Sequence, residues 1–202
     1  MKKRIAVLAS GRGSNFQAVI DAIAAGKIPA TCARLITDNP KAYAIERAEA
    51  AGIPVNVVDY ATFPAREAYE RALLAAMQGC QVDLFVLAGY MRIVGPEIVR
   101  AFPGKMVNIH PALLPSFQGL HAQRQAWLYG VKVSGCTVHF VDESLDGGPI
   151  ILQRTVPVLD TDDEDSLAER ILEQEHIAFP EAIQLFCEDK LEIVGRKVRI
   201  RT

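Results

Sequence analysis

Residues 4–25 read RIAVLASGRGSNFQAVIDAIAA: an apolar run, a turn punctuated by two glycines and an amphipathic stretch in immediate succession. That order predicts a strand, a tight loop and a helix over residues 14–25. The same alternation continues along the chain. ARLIT precedes a helical pattern over 41–51, PVNVV one over 64–77, and DLFVLAG one over 96–101. Strand and helix in strict alternation imply crossover connections and a mainly parallel sheet. Beyond residue 108 the pattern changes to a short helix over 121–128, two longer strands, SGCTVHFV and PIILQRTVPV, joined by the turn-rich DESLDGGP, and a helix over 166–186. Consecutive strands joined by a turn read as antiparallel. The expected class is therefore α/β: a Rossmann-like, doubly wound, mostly parallel sheet with antiparallel additions at the C-terminal end. The tail LEIVGRKVRIRT reads as a hairpin about Gly195, with Lys197, Arg199 and Arg201 on one face of an edge strand rather than as an RNA patch.

With 202 residues the chain has the length of one domain, 1–202. Half of its residues are hydrophobic, 23% are charged and the net charge is −2, which gives no support to nucleic acid as a partner. The start MKKRIAVLAS has a basic tip, but its apolar run stops at Ala9, too short for a signal peptide, and no stretch is long enough to cross a bilayer. A cytoplasmic protein, monomer or homodimer, is expected. Cys32, Cys80, Cys136 and Cys187 lie about fifty residues apart without metal-ligand spacing, so they are read as reduced and buried, and no metal is expected. DTDDEDS, 160–166, lacks the glycine and distal glutamate of a calcium loop and reads as helix capping.

In the loop GRGSN, Gly11 and Gly13 permit a tight turn, Ser14 is a candidate N-cap, and Asn15 offers an amide to an anion at the helix start. A dinucleotide loop wants glycine three residues after Gly13, where this chain has Phe16, and no G-K-[ST] follows. The loop is read as a site for one phosphate, with a plain capped turn or, through Asp38 after the second strand, a nicotinamide enzyme as alternatives.

In VNIHPALLP, residues 107–115, Asn108 and His110 share one face of an extended segment. Further on, Asp146 lies in a turn flanked by Gly147 and Gly148, and if that turn lies near His110 its carboxylate can hydrogen-bond the imidazole and favour the charged form. His139, on the neighbouring strand, is read as a supporting or core residue. An Asn, a His and an Asp without a nucleophile elbow point to an enzyme that stabilises an oxyanion and moves a proton while the substrate supplies the nucleophile, as in acyl transfer to an amine.

SGRGSNFQA, REAYE, LAGYMRIV, NIHPALLP, GLH, TVHFV, LDGGPIILQ and QEHIAFP together resemble the phosphoribosylglycinamide formyltransferases, within the folate-dependent formyltransferase superfamily. The resemblance implies formyl transfer from 10-formyltetrahydrofolate, a co-substrate, to glycinamide ribonucleotide in de novo purine biosynthesis, a branch of one-carbon metabolism, without a covalent enzyme intermediate. It implies a ribonucleotide-binding half, 1–105, and a folate-binding and catalytic half, 106–202. Asn108, His110 and Asp146 would be catalytic. Gly13, Ser14 and Asn15 would hold the ribonucleotide phosphate and Glu175 its glycinamide end. Met91, Arg92, Ile93 and Val94, with Asn108, would line the folate pocket, and Arg66 would meet the acidic tail. A tRNA formyltransferase is expected to add a C-terminal domain and a deformylase an N-terminal one. Where many relatives carry a second His after GLH, this chain has Gln123, which puts any role for an imidazole there in doubt. A deformylase, a nicotinamide enzyme and a noncatalytic folate-binding module stay open as rivals.

Overall fold

The structure, a computed structural model, describes residues 2–201; Met1 and Thr202, the ends of the expected domain, lie outside the described residues. The chain divides into two compact units, 1–107 and 108–202.

In the first unit β1 (Lys3–Leu8), α1 (Ser14–Ala24), β2 (Ala30–Thr37), α2 (Ala44–Ala50), β3 (Val55–Val57), α3 (Arg66–Gln78), β4 (Leu84–Leu87) and α4 (Pro96–Ala101) alternate as the periodicity predicts. Strand order is β3-β2-β1-β4, and the pairs β1/β2, β1/β4 and β2/β3 are all parallel. Ile5 through Leu8 and Leu84 through Val86 are buried without interruption, the pattern of strands covered on both faces. Phe16 and Val19 of α1 and Leu73 and Met77 of α3 complete this core at helical spacing. The helix expected from residue 41 begins at Ala44. Asn39 holds the preceding residues in a turn instead, its Oδ1 accepting from Lys41 N at 2.9 Å and its carbonyl from Ala42 N at 3.1 Å.

β5 (Met106–His110) crosses the boundary between the units. The second unit continues with α5 (Ala122–Tyr129), β6 (Val133–Phe140), β7 (Ile150–Pro157), α6 (Glu164–Cys187), β8 (Leu191–Val194) and β9 (Lys197–Ile200). β6 and β7 pair antiparallel, as do β8 and β9 about Gly195. The order β6-β7-β9-β8 corrects one expectation: the strand carrying Lys197 and Arg199 lies between β7 and β8, since it returns parallel to β7 at Ile150↔Lys197, and β8 is outermost. α6 covers β6 and β7 with Leu167, Ile171, Ala178, Phe179 and Ile183, all buried. The acidic stretch before it caps the helix: Asp163 Oδ1 accepts from Ser166 N at 2.8 Å, while Ser166 Oγ accepts from Asp163 N at 3.0 Å. Asp162 takes both forks of Arg170 at 2.7 Å, which hold its carboxyl well below the usual range, and its carbonyl accepts Nε1–H of Trp127 at 2.9 Å. The mostly parallel sheet with alternating helices and antiparallel C-terminal strands is thus the expected one. No helix among the described residues is long and apolar enough to cross a membrane.

Candidate active site

After β1 the chain turns into α1 through Gly13, whose φ is +68°. A Cβ there would stand 2.9 Å from Ala44 Cβ on α2, so glycine is required both by conformation and by close approach. Gly13 occupies the N-cap, which corrects the expectation for Ser14: Ser14 is the first helical residue, and no side chain caps α1. Arg47 of α2 fastens the loop, its Nε donating to the Arg12 carbonyl at 2.8 Å and its Nη1 to Gln17 Oε1 at 3.0 Å. The first intrahelical bond runs from Gln17 N to Gly13 O, and Asn15 is buried in the turn ahead of it. A helix start of this kind presents backbone N–H groups to an anion.

The other residues singled out in the first unit meet around Met91–Val94. Met91 N donates to Ser10 Oγ at 2.9 Å, and Ser10 N donates to Gly89 O at 3.1 Å. Met91 and Ile93 are each 61% exposed, large apolar side chains held out toward solvent. Arg92 turns its side chain inward to Asp38. Arg66 pairs with Glu70 at 2.6 Å and reaches the Ile93 carbonyl at 3.4 Å, so part of the charge expected to meet an acidic tail is already matched by Glu70.

In the second unit Asn108, His110, His139 and Asp146 form one cluster. His110 Nε2–H donates to the Phe117 carbonyl at 2.8 Å, since a carbonyl can only accept, and His110 Nδ1 lies 3.4 Å from Asp146 Oδ2. That approach is an ion-pair distance, longer than a charge-assisted hydrogen bond of about 2.8 Å. Asp146 Oδ2 instead accepts from Gly119 N at 2.8 Å. Phe117 and Gly119, two residues apart, thereby close around the His–Asp pair. Asp146 itself has φ +47°, a left-handed conformation that Asp tolerates better than most residues. Its turn also depends on neighbours without side chains: a Cβ on Gly148 would run into the Phe140 carbonyl, and one on Gly147 into Ser144.

His139 proves to be both core and support. Its Nδ1–H donates to the Phe140 carbonyl at 2.8 Å, which leaves Nε2 bare to accept from Asn108 Nδ2 at 3.2 Å. Burial holds the imidazole below its ordinary pKa, so it stays neutral and keeps this tautomer. The Asn108 amide is thereby oriented, with one N–H still to give.

Sequence reasoning missed the supports beneath this cluster. Thr137 Oγ1 donates to Ala112 O at 2.7 Å and accepts from Leu114 N and Gln153 Nε2, both at 3.0 Å, tying the segment after His110 to β6 and β7. A Thr within the apolar run SGCTVHFV was the available signal, and the structure leaves it no exposure. Glu175 is 6% exposed on α6. Burial, then the Glu175 charge, pushes the Cys136 thiol up to about 12. Cys32, Cys80, Cys136 and Cys187 form no disulfide among the described residues; three are buried and Cys32 partly so. Gln123 sits on α5. Among the described residues no group of three His, Cys, Asp or Glu is placed to hold a metal ion.

The family described as Formyl transferase matches residues 3–183, and the chain belongs to that family. Phosphoribosylglycinamide formyltransferase of Escherichia coli (strain K12) is 43% identical over 189 residues, 94% of this chain and 89% of that protein. The crystal structure of glycinamide ribonucleotide transformylase 1 from Symbiobacterium toebii matches with a TM-score of 0.96 at 52% identity, covering 99% of this chain and 94% of that one. Trifunctional purine biosynthetic protein adenosine-3 of Drosophila melanogaster is 49% identical over 186 residues, and this chain spans 14% of its length. A formyltetrahydrofolate deformylase from Pseudomonas syringae pv. tomato has a TM-score of 0.93 at 28% identity. The chain is thus similar to proteins named for formyl transfer and for purine biosynthesis.

Proposed function

We propose that the protein transfers the formyl group of 10-formyltetrahydrofolate to the amine of glycinamide ribonucleotide. The observation that carries this reading is the cluster of Asn108, His110 and Asp146, in which a neutral His139 orients the Asn108 amide and a carboxylate faces the catalytic imidazole. It offers hydrogen-bond donors and a proton but contains no Ser or Cys nucleophile, so the nucleophile belongs to the substrate.

The uncharged amine attacks the formyl carbon to give a tetrahedral intermediate, and the carbonyl π electrons move to its oxygen. Asn108 Nδ2–H and His110 donate to that oxygen, an interaction of about 3 kcal/mol where a preorganised donor is present. The proton lost by the attacking nitrogen ends on the folate nitrogen as the C–N bond to it breaks, with His110 as the relay and Asp146 as its orienting charge. The His110 Nε2 proton is held by the Phe117 carbonyl, so substrate must take over that bond before the proton can move. The loop through Gly13, Ser14 and Asn15 takes the ribonucleotide phosphate on backbone amides. Met91, Ile93 and Val94 with the backbone of Arg92 take the folate ring system, Arg66 the acidic tail, and Glu175 supports the glycinamide end.

The test is the absorbance change on folate release from 10-formyltetrahydrofolate, with and without glycinamide ribonucleotide. Release that requires the ribonucleotide is expected, and His110→Ala and Asp146→Asn should each lower turnover by about 10²-fold or more with the fold retained. Release without the ribonucleotide would make the protein a hydrolase. Near wild-type turnover in either variant would remove the proposed mechanism.

A further inference from the structure

We infer that Asp38 is a positioning residue for the Met91–Val94 segment, acting through Arg92; the inference rests on the assignment of that segment to folate. Asp38 follows β2 and is 4% exposed. Its Oδ2 accepts from Arg92 Nε at 2.8 Å, and its Oδ1, also buried, has no hydrogen-bond partner. The Arg92 guanidinium stacks over the Tyr60 ring at 3.8 Å, and that ring is placed in turn by Tyr60 N donating to the Asp38 carbonyl at 3.1 Å. One buried aspartate thus sets both the charge that Arg92 meets and the ring it lies on.

Stability alone is a poor reason for such an arrangement. Taking a carboxylate out of water is costly, and a single half-exposed guanidinium repays little beyond that cost, so an apolar replacement is often neutral. What the pair does provide is one fixed rotamer for a long side chain, and with it one course for the backbone that carries it. The rest of the segment is fastened in the same manner. Ser10 Oγ takes Met91 N, the Tyr90 hydroxyl bonds that of Tyr69, Arg66 reaches the Ile93 carbonyl, and the Glu70 carboxylate fills the space where a Cβ of Gly95 would be. A segment pinned from both sides that leaves Met91 and Ile93 in solvent is built to offer apolar surface to a flat heteroaromatic ring. Arg92 contributes its backbone, since its guanidinium already serves Asp38 and Tyr60.

Steady-state kinetics of Asp38→Ala, Arg92→Met and the double variant test this. Each single variant should raise the KM for 10-formyltetrahydrofolate by about tenfold, with kcat and the ribonucleotide KM within about twofold, and the double variant should be no worse than either single because both remove one interaction. Arg92→Met should also leave the ratio of KM values for mono- and triglutamyl folate unchanged, as a backbone role requires. Equal rises in both KM values, an additive double variant, or a changed glutamate ratio would overturn the inference. Ile93→Asp separates it from the reading beneath it: if Ile93→Asp raises the folate KM while Asp38→Ala does not, only the role of Asp38 fails. If Ile93→Asp leaves the folate KM unchanged, the folate assignment fails and the inference with it.

Discussion

Gly13 carries two constraints on one carbon, a left-handed backbone and the Ala44 methyl 2.9 Å from where a Cβ would sit. Gly13→Val must therefore either shift α2 or reopen the turn, and both displace the amides proposed for the phosphate. The expected result is a rise in the ribonucleotide KM of about tenfold or more with the folate KM unchanged, measured by varying each substrate at saturation of the other. Equal rises would show that the loop holds no phosphate. At this scale the sequence was legible where a residue's own constraint speaks, as for Gly13 and for the alternation that pairs Asn108 with His110. It was not legible where the partner is a backbone atom remote in sequence. Nothing in NIHPALLP announces that the Phe117 carbonyl will take the His110 proton, or that Gly119 will claim the Asp146 oxygen nearest that ring.

Elements were read more securely than their ends. The strand-and-helix alternation stands throughout the first unit because buried strands and amphipathic helices differ in period, but α2 starts three residues late because the Asn39 turn competes locally with helix. For β9 the hairpin was evident, and its neighbour was not, since a parallel return to β7 leaves no mark in a short charged strand. Ahead of α6 the acidic run was read as capping, and the reciprocal Asp163–Ser166 bonds are that cap. Asp163→Ala should lower the midpoint of chemical denaturation, and added calcium should leave the wild-type melting temperature where it is. A rise in Tm with calcium would return the stretch to a cation site.

For the whole molecule, acid stability should register the buried His139. Its native pKa lies below the ordinary 6.5 because burial disfavours the cation. Below pH 6.5 the unfolded chain therefore takes up a proton that the native protein refuses, and stability falls with pH from there downward while remaining intact above it. Tm measured from pH 7.5 to 5 should drop more steeply for the wild type than for His139→Gln, and parallel slopes would show that this imidazole is not a source of acid lability. The indole of Trp127, tied to the Asp162 carbonyl, has one more use. It is the sole tryptophan of the chain and lies in the second unit, whereas Tyr43, Tyr60, Tyr69 and Tyr90 lie in the first. Each unit thus carries its own optical reporter: indole emission follows one half of the polypeptide and phenol absorbance chiefly the other, so a single melt watched at two wavelengths reads the cooperativity between them without a label.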